Sequence, residues 1–314
     1  MYVLHATDQA ELRERSALFE EHFEPLLWQL EEAVWSGSVS PAIPEISQYL
    51  QVCRWPFRRL EYAFALDALL GRLAPGDRYL DAGSGVTPLG HIFAARGAVA
   101  AACDGDERVV AALQRLDLAH IYGSAVTYRV EDLTTMAYAS ETFDAVSCIS
   151  VLEHIPAPHD QRALRELLRV LKPGGVLVAT VDYTPASYDP SRRMGYLLDR
   201  ALRLARQGHL VEIGRGVVRK LQAAQAVRQS GARQPRSANQ CFDVSHLEQD
   251  IAPLLEGMEL PSGIPHTADL HALTAADARR FWDLEPGLYH NQGQRAVLPV
   301  GFIVQKAAAT AVAA

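Results

Sequence analysis

From Arg78 to Val181 short apolar segments alternate with helical ones, and no other pattern in the chain restricts its fold as tightly. The apolar runs are Arg78–Ala82, Ala98–Cys103, Val126–Val130, Ala145–Ser150 and Val176–Val181. Helical spacing begins at Pro88, at Glu107 and near Asp160–Leu171. Strands that alternate with helices pair in parallel, because each crossover carries its helix back over one face of the sheet. The expectation is a doubly wound α/β core. Ligands of such sheets bind beyond the carboxyl ends of the strands, where strand order reverses.

The first loop at that end reads Asp81-Ala82-Gly83-Ser84-Gly85-Val86-Thr87-Pro88. Its two glycines allow a tight turn and a close approach of backbone to a ligand. Thr87 is expected to cap the next helix, with Pro88 at its first position. Dinucleotide enzymes place G-x-G-x-x-G at the same point, so the glycines alone do not discriminate. The acid does: a carboxylate two residues before the first glycine repels a pyrophosphate and attracts a ligand with positive charge. Asp104, nineteen positions beyond Gly85, ends the second strand. A carboxylate there accepts hydrogen bonds from vicinal ribose hydroxyls. Asp106, followed by Glu107, reads as a helix N-cap.

This stretch resembles the class I S-adenosylmethionine (SAM)-dependent methyltransferases, over roughly Arg78 to Val181. Their acid-x-Gly-x-Gly-x-Gly motif is matched by Asp81, Gly83 and Gly85, with Thr87 in place of the third glycine. SAM carries an ammonium and a sulfonium and no phosphate, which suits the acid. The resemblance implies a Rossmann-like, mostly parallel seven-stranded sheet, SAM as cofactor and S-adenosylhomocysteine as product. It also implies that Asp81, Gly83, Ser84 and Gly85 border the cofactor and that Asp104 and Gly105 meet its ribose. Asp132 would accept from the adenine amino group, and the Leu133 amide would touch the ring. Ser150 and the segment Leu152-Glu153-His154 would lie under the methionine part. N-terminal helices commonly cap the site in this family, which makes Tyr62 and Arg58 candidates to close over the methionine end. Trp55 and Phe57 fit equally well as core anchors. Leu171-Lys172-Pro173-Gly174-Gly175 is a connecting turn without chemistry.

Methyl transfer from a sulfonium is an in-line displacement, so the protein mainly aligns donor and acceptor in a dry pocket. A general base is needed when the acceptor is a hydroxyl or an ammonium. His154 is the first candidate, because imidazole titrates near neutral pH; Glu153 is the second. Asp182 and Tyr183, at the end of the fifth strand, are further candidates to reach the acceptor.

Composition enters through charge. The 314 residues hold 30 basic and 37 acidic side chains, a net charge of −7, which argues against a nucleic-acid partner. Between Arg192 and Arg236, however, eleven basic residues face two acids, Asp199 and Glu212. That local charge of +9 leaves −16 on the rest of the chain. The stretch reads either as surface helices with a solvated basic face, available for a homodimer contact, or as a lid over an anionic acceptor. The expected organisation is a helical cap over 1–75, a SAM-binding core over 76–183, a basic insertion over 184–245, completion of the sheet over 246–306 and a frayed tail over 307–314. PLLEGMELPSG and RAVLPVGFIVQK would supply the sixth and seventh strands, the last antiparallel. His266, His271 and His290 fit no metal spacing, and the four cysteines lie far apart, so no metal is expected. No apolar run approaches the roughly 18 residues that span a bilayer, and a cytoplasmic protein without membrane insertion is expected. The expected activity is methylation of a small-molecule acceptor, with a hydroxyl ahead of an amine or carbon. The rivals are a non-catalytic binding or partner subunit of the same fold and a nucleotide-dependent oxidoreductase. The presence of Asp81, Asp104 and Asp132 weighs against the first, and Asp81 against the second.

Overall fold

The alternation builds one sheet. A computed structural model describes residues 2–4, 6–37, 50, 53–184, 242–259, 270, 273–284 and 297–308. Its strands are β1 (Tyr2–Val3), β2 (Arg78–Ala82), β3 (Val99–Asp104), β4 (Val126–Val130), β5 (Phe143–Ile149), β6 (Leu171–Tyr183) and β7 (Leu298–Gln305). They lie in the order β1-β7-β6-β5-β2-β3-β4. The pairs from β4 through β6 are parallel, whereas β7 runs antiparallel to β6, as expected for the last strand. β3 and β4 extend to one side of β2, while β5 and β6 extend to the other. The reversal therefore falls between β2 and β5.

Both faces of the sheet are covered, and the side chains sort between them with period two. Tyr79, Ala145, Val178 and Ile303 pack with the helices Gln9–Arg15, Glu24–Trp35, Pro56–Leu69 and Leu89–Ala94. Leu80, Val146, Leu177 and Phe302 pack with the helix His159–Val170 and with Leu247 and Ile251. In His159–Val170 the buried Ala163, Leu164, Leu167 and Val170 fall on one stripe. Pro56 starts the Pro56–Leu69 helix with its φ already set and no amide to satisfy. That helix is buried almost all round because it lies between the sheet and the N-terminal helices. Tyr62 stacks on Phe23 at 4.3 Å between ring centroids. Phe57 is buried and pairs with Trp55 at 5.5 Å, so both serve as anchors of this layer.

Two expectations need correction. Of the expected sixth strand, the described part forms a helical turn, Ala252–Leu255, and a single bridge from Glu259 to Gln305. Pro253 opens that turn and Gly257 sits at φ +79°, both incompatible with a continuous strand. The free edge of β7 is met instead by β1, with Tyr2 opposite Gly301. Secondly, Pro88 is the N-cap of Leu89–Ala94, and Thr87 does not cap the helix with its side chain. The Leu171–Gly175 turn survives as an irregularity inside β6: Phe143 pairs with Leu171 and Ala145 with Val176, with Gly174 at φ +78°. The basic stretch 192–236 and His266, His271 and His290 lie outside the described residues. Among the described residues no helix is long and apolar enough to cross a membrane.

Gly301 fixes how closely the Pro56–Leu69 helix approaches the sheet, because a Cβ there would overlap the ring of Phe64. Gly301→Ala is expected to lower stability by about 1–3 kcal/mol in chemical denaturation. Phe64→Leu in the same chain should restore part of that loss.

Candidate functional site

The carboxyl end of β2 holds a buried carboxylate. Asp81 is 3% exposed. Its Oδ1 accepts from Ser147 Oγ at 2.8 Å, and its Oδ2 accepts from Thr87 Oγ1 at 3.0 Å. Ser147 is its register partner on β5, and Tyr79 Oη lies 2.6 Å from the same serine. With Asp81 ionised, the protons run one way, from Tyr79 to Ser147 to Asp81, and Thr87 closes the network from the loop. Burial pushes the Asp81 carboxyl up to about 6; the two hydroxyl bonds oppose that shift, and the nearby Asp104 adds to it.

The loop that follows is shaped by two glycines at positive φ, Gly83 (+74°) and Gly85 (+53°). A Cβ on Gly83 would stand 2.5 Å from Cγ2 of Val151, so the loops after β2 and β5 touch there. The Gly83 and Ser84 amides both donate to the Cys103 carbonyl of β3. Asp104 then holds the loop from its other side. Its Oδ2 accepts from the Gly85 amide at 2.9 Å and its Oδ1 from the Asp106 amide at 2.8 Å. Asp106 caps Glu107–Arg115, as expected, accepting from the Arg108 amide. Its side-chain and backbone bonds to Arg108 hold its carboxyl down, at about 2. Gly105 has only the Glu131 carbonyl within 4 Å of where a Cβ would sit.

Beyond β4, Asp132 is exposed and closes a turn: its Oδ1 accepts from both the amide and the hydroxyl of Thr134, each at 2.8 Å. Those two bonds lower its pKa. Leu133 beside it is buried.

The loop after β5 meets the N-terminal layer. Ser150 is buried at φ +51°, a backbone conformation costing roughly 1–2 kcal/mol for a residue with a side chain. It is held there from two sides. Its amide donates to the carbonyl and the hydroxyl of Thr180, and its Oγ donates to Glu61 Oε1 at 2.5 Å. Glu61, in mid-helix and fully buried, also pairs through Oε2 with Arg58 at 2.8 Å. Glu153 and His154 follow in the turn Leu152–His154 and diverge. His154 is exposed, while Glu153 is 3% exposed. Glu153 Oε1 accepts from the Asp182 amide at 3.2 Å, and its Oε2 is enclosed without a hydrogen-bond partner. Burial, with the Asp182 charge added, pushes the Glu153 carboxyl well above the carboxylate range.

The structure thus brings Asp81, Gly83, Ser84, Gly85, Asp104 and Gly105 together at the carboxyl ends of β2 and β3, with the loop that carries Ser150 and Glu153 touching them through Val151. Tyr62 points into the stack with Phe19 and Phe23, and Asp132 lies one loop further out. Tyr183 is buried, with its hydroxyl donating to the Leu270 carbonyl. Ser147, Glu61 and Thr180 hold Asp81 and Ser150 in place and are not among the residues that the sequence reading singles out. A serine inside the apolar run FDAVSCI and a glutamate inside LEYAFAL are the sequence signals that mark two of them.

Residues 80–179 match the family model described as a methyltransferase domain. A ubiquinone biosynthesis O-methyltransferase of Xanthomonas campestris pv. campestris (strain B100) is 36% identical over 134 residues, 41% of this chain and 52% of that protein. One from Pseudomonas fluorescens (strain SBW25) is 34% identical over 117 residues, 36% of this chain and 48% of that protein. The chain therefore spans about half the length of the curated relatives it matches. Among solved structures, a putative sarcosine dimethylglycine methyltransferase from Galdieria sulphuraria superposes with a TM-score of 0.48 at 12% identity, over 86% of this chain and 91% of that one. Residues 80–179 therefore carry a methyltransferase domain by sequence.

SAM is the cofactor that such a domain implies, and the residues suit it. A buried acid at the glycine loop and a carboxylate at the end of β3 favour a cation that carries a ribose and no phosphate.

Asp81 also gives the fold a pH signature. Its folded pKa of about 6 lies above the ordinary 3.8, so between these values the native state binds more protons than the unfolded chain and stability falls as pH rises. Over that window the loss attributable to Asp81 is roughly 3 kcal/mol. Urea denaturation from pH 4 to 7 should show a shallower decline for Asp81→Asn than for the natural chain; parallel curves would contradict the assignment.

Proposed function

We propose that the protein transfers the methyl group of SAM to a hydroxyl of a small molecule. The observation that carries this reading is the pairing of buried Asp81 with a glycine loop held by Asp104, and the curated relatives named O-methyltransferases support it. Asp104 has one bond on each oxygen, to Gly85 and Asp106. A carboxylate offers about four acceptor positions, so two remain for vicinal ribose hydroxyls, beside Gly105. Asp132 spends only Oδ1 on Thr134, which leaves Oδ2 for an adenine amino group over Leu133. Gly83, Ser84 and Gly85 give the backbone surface for the sugar and methionine. Ser150 and the Arg58–Glu61 pair border the methionine end, with Tyr62 behind them as support for their helix.

The bound cofactor supplies an already activated methyl group. The chain's own task is to orient the acceptor and take up its proton. In our reading Glu153 does the second, because its Oε2 is enclosed and unmatched, whereas His154 is exposed and stands second. The basic stretch 192–236 follows β6 in sequence and would cover an anionic acceptor.

Glu153→Gln should lower kcat about 10²-fold or more, with His154→Ala within about threefold of the natural chain. The opposite ranking would move the proton to His154. Acceptor affinity should weaken steeply between 50 and 500 mM salt if the basic stretch holds an anion; a flat response would remove that part of the proposal.

A further inference from the structure

We infer that Glu153 senses the charge of the cofactor: its carboxyl gives up a proton when the positively charged methyl donor binds, and takes one back as the donor becomes the neutral product. This inference rests on the SAM reading above and extends it to a role that site geometry alone suggests.

Three carboxyl groups converge at the carboxyl ends of β5 and β6: Glu61 from the Pro56–Leu69 helix, Glu153 from the turn after β5, and Asp182 from β6. One guanidinium, Arg58, faces all three. It is committed to Glu61, with which it forms an ion pair at 2.8 Å. Glu61 has the further bond from Ser150. Glu153 has neither an ion pair nor a hydroxyl. Its carboxylate is met by backbone amides, that of Asp182 at 3.2 Å from Oε1 and its own, and Oε2 is buried with no partner. A further titratable neighbour is the Cys148 thiol of β5, kept protonated by its own burial. Among the described residues an anion in that position is enclosed beside two other acids with Arg58 already spent on Glu61, so the ligand-free site holds Glu153 as the neutral acid.

Val151, two residues earlier, closes on Gly83 of the cofactor loop, so the turn that carries Glu153 adjoins that loop. A fixed positive charge bound beside that loop supplies a counter-ion that the described residues do not, and the proton leaves to solvent. The chemistry then balances within the site. In methyl transfer the sulfur–carbon bond breaks, the acceptor oxygen–carbon bond forms, and the acceptor O–H proton passes to the Glu153 carboxylate. A sulfonium and a carboxylate become a thioether and a carboxylic acid. The enclosed region keeps the same net charge before and after, so its fixed dipoles need little rearrangement. The next donor expels the proton again. The free energy for discriminating donor from product thus comes from one side chain.

Isothermal titration calorimetry in phosphate, HEPES and Tris at pH 7 separates proton release from heat of binding, because the buffers differ in ionisation enthalpy. SAM and S-adenosylhomocysteine share every group except the sulfonium, so their comparison isolates its charge in the natural chain, without a variant. Binding of SAM should release between about half and one proton more than binding of S-adenosylhomocysteine. The preference for SAM should grow with pH by up to about tenfold per unit while Glu153 titrates. Glu153→Gln, checked for folding by circular dichroism, should bind both ligands with equal proton counts and a preference that does not vary with pH. Equal counts in the natural chain, or a difference that persists in Glu153→Gln, would overturn the inference while leaving the cofactor reading intact. Failure of the natural chain to bind SAM at all would overturn the cofactor reading, and this inference with it.

Discussion

The carboxylate of Asp81 is the junction on which the site depends. It is buried where β2 ends, and an isolated ion there would be costly. Bonds from Ser147 and Thr87 offset that cost and in doing so tie β2 to β5 and to the glycine loop. Asp104 repeats the device one strand away, with amides in place of hydroxyls. Together they hold the loop in shape through side chains that a parallel sheet delivers to one edge. Chemistry gathers at this edge because strand order reverses between β2 and β5, which leaves their ends uncovered by a crossover.

A second junction joins the N-terminal layer to the same edge. Glu61 bonds Ser150 and Arg58, and the strained backbone at Ser150 is held by that bond together with Thr180. The helix that covers the sheet therefore also shapes the loop after β5. Gly301 lets this helix sit close, and the stacked rings of Phe19, Phe23 and Tyr62 hold it from behind. Cap and core form one packed unit, so a change in the cap will reach the site through Glu61.

How much of this was legible in the sequence depended on whether a residue's role is set locally. Arg78–Ala82 and Val126–Val130 were read to the residue, since turns bound each run and crossovers fix their spacing. Tyr2–Val3 could not be read, because two residues carry no periodicity and their pairing comes from the free edge of β7. The expected sixth strand failed at Pro253 and Gly257, whose local demands outweighed an apolar composition. Thr87 was assigned to the helix because capping is the local option; its hydroxyl follows the buried acid instead. Asp81, Asp104 and the glycines stand out in the sequence because they keep a fixed spacing along the chain, and the structure gathers them where β2 and β3 end. Glu153 and His154 were not separable: adjacent residues on a short turn face opposite ways, and only the fold tells which one is enclosed.

In the proposed function SAM binds at the strand ends marked by Asp81, Asp104 and Glu153. Hydrogen–deuterium exchange on the whole chain, with and without SAM and with NAD as a control, tests it most directly. SAM should slow exchange in four loops: 83–87, 104–106, 132–134 and 150–153. NAD should leave those amides unchanged. Equal protection by NAD, or protection by SAM confined to other segments, would contradict the claim.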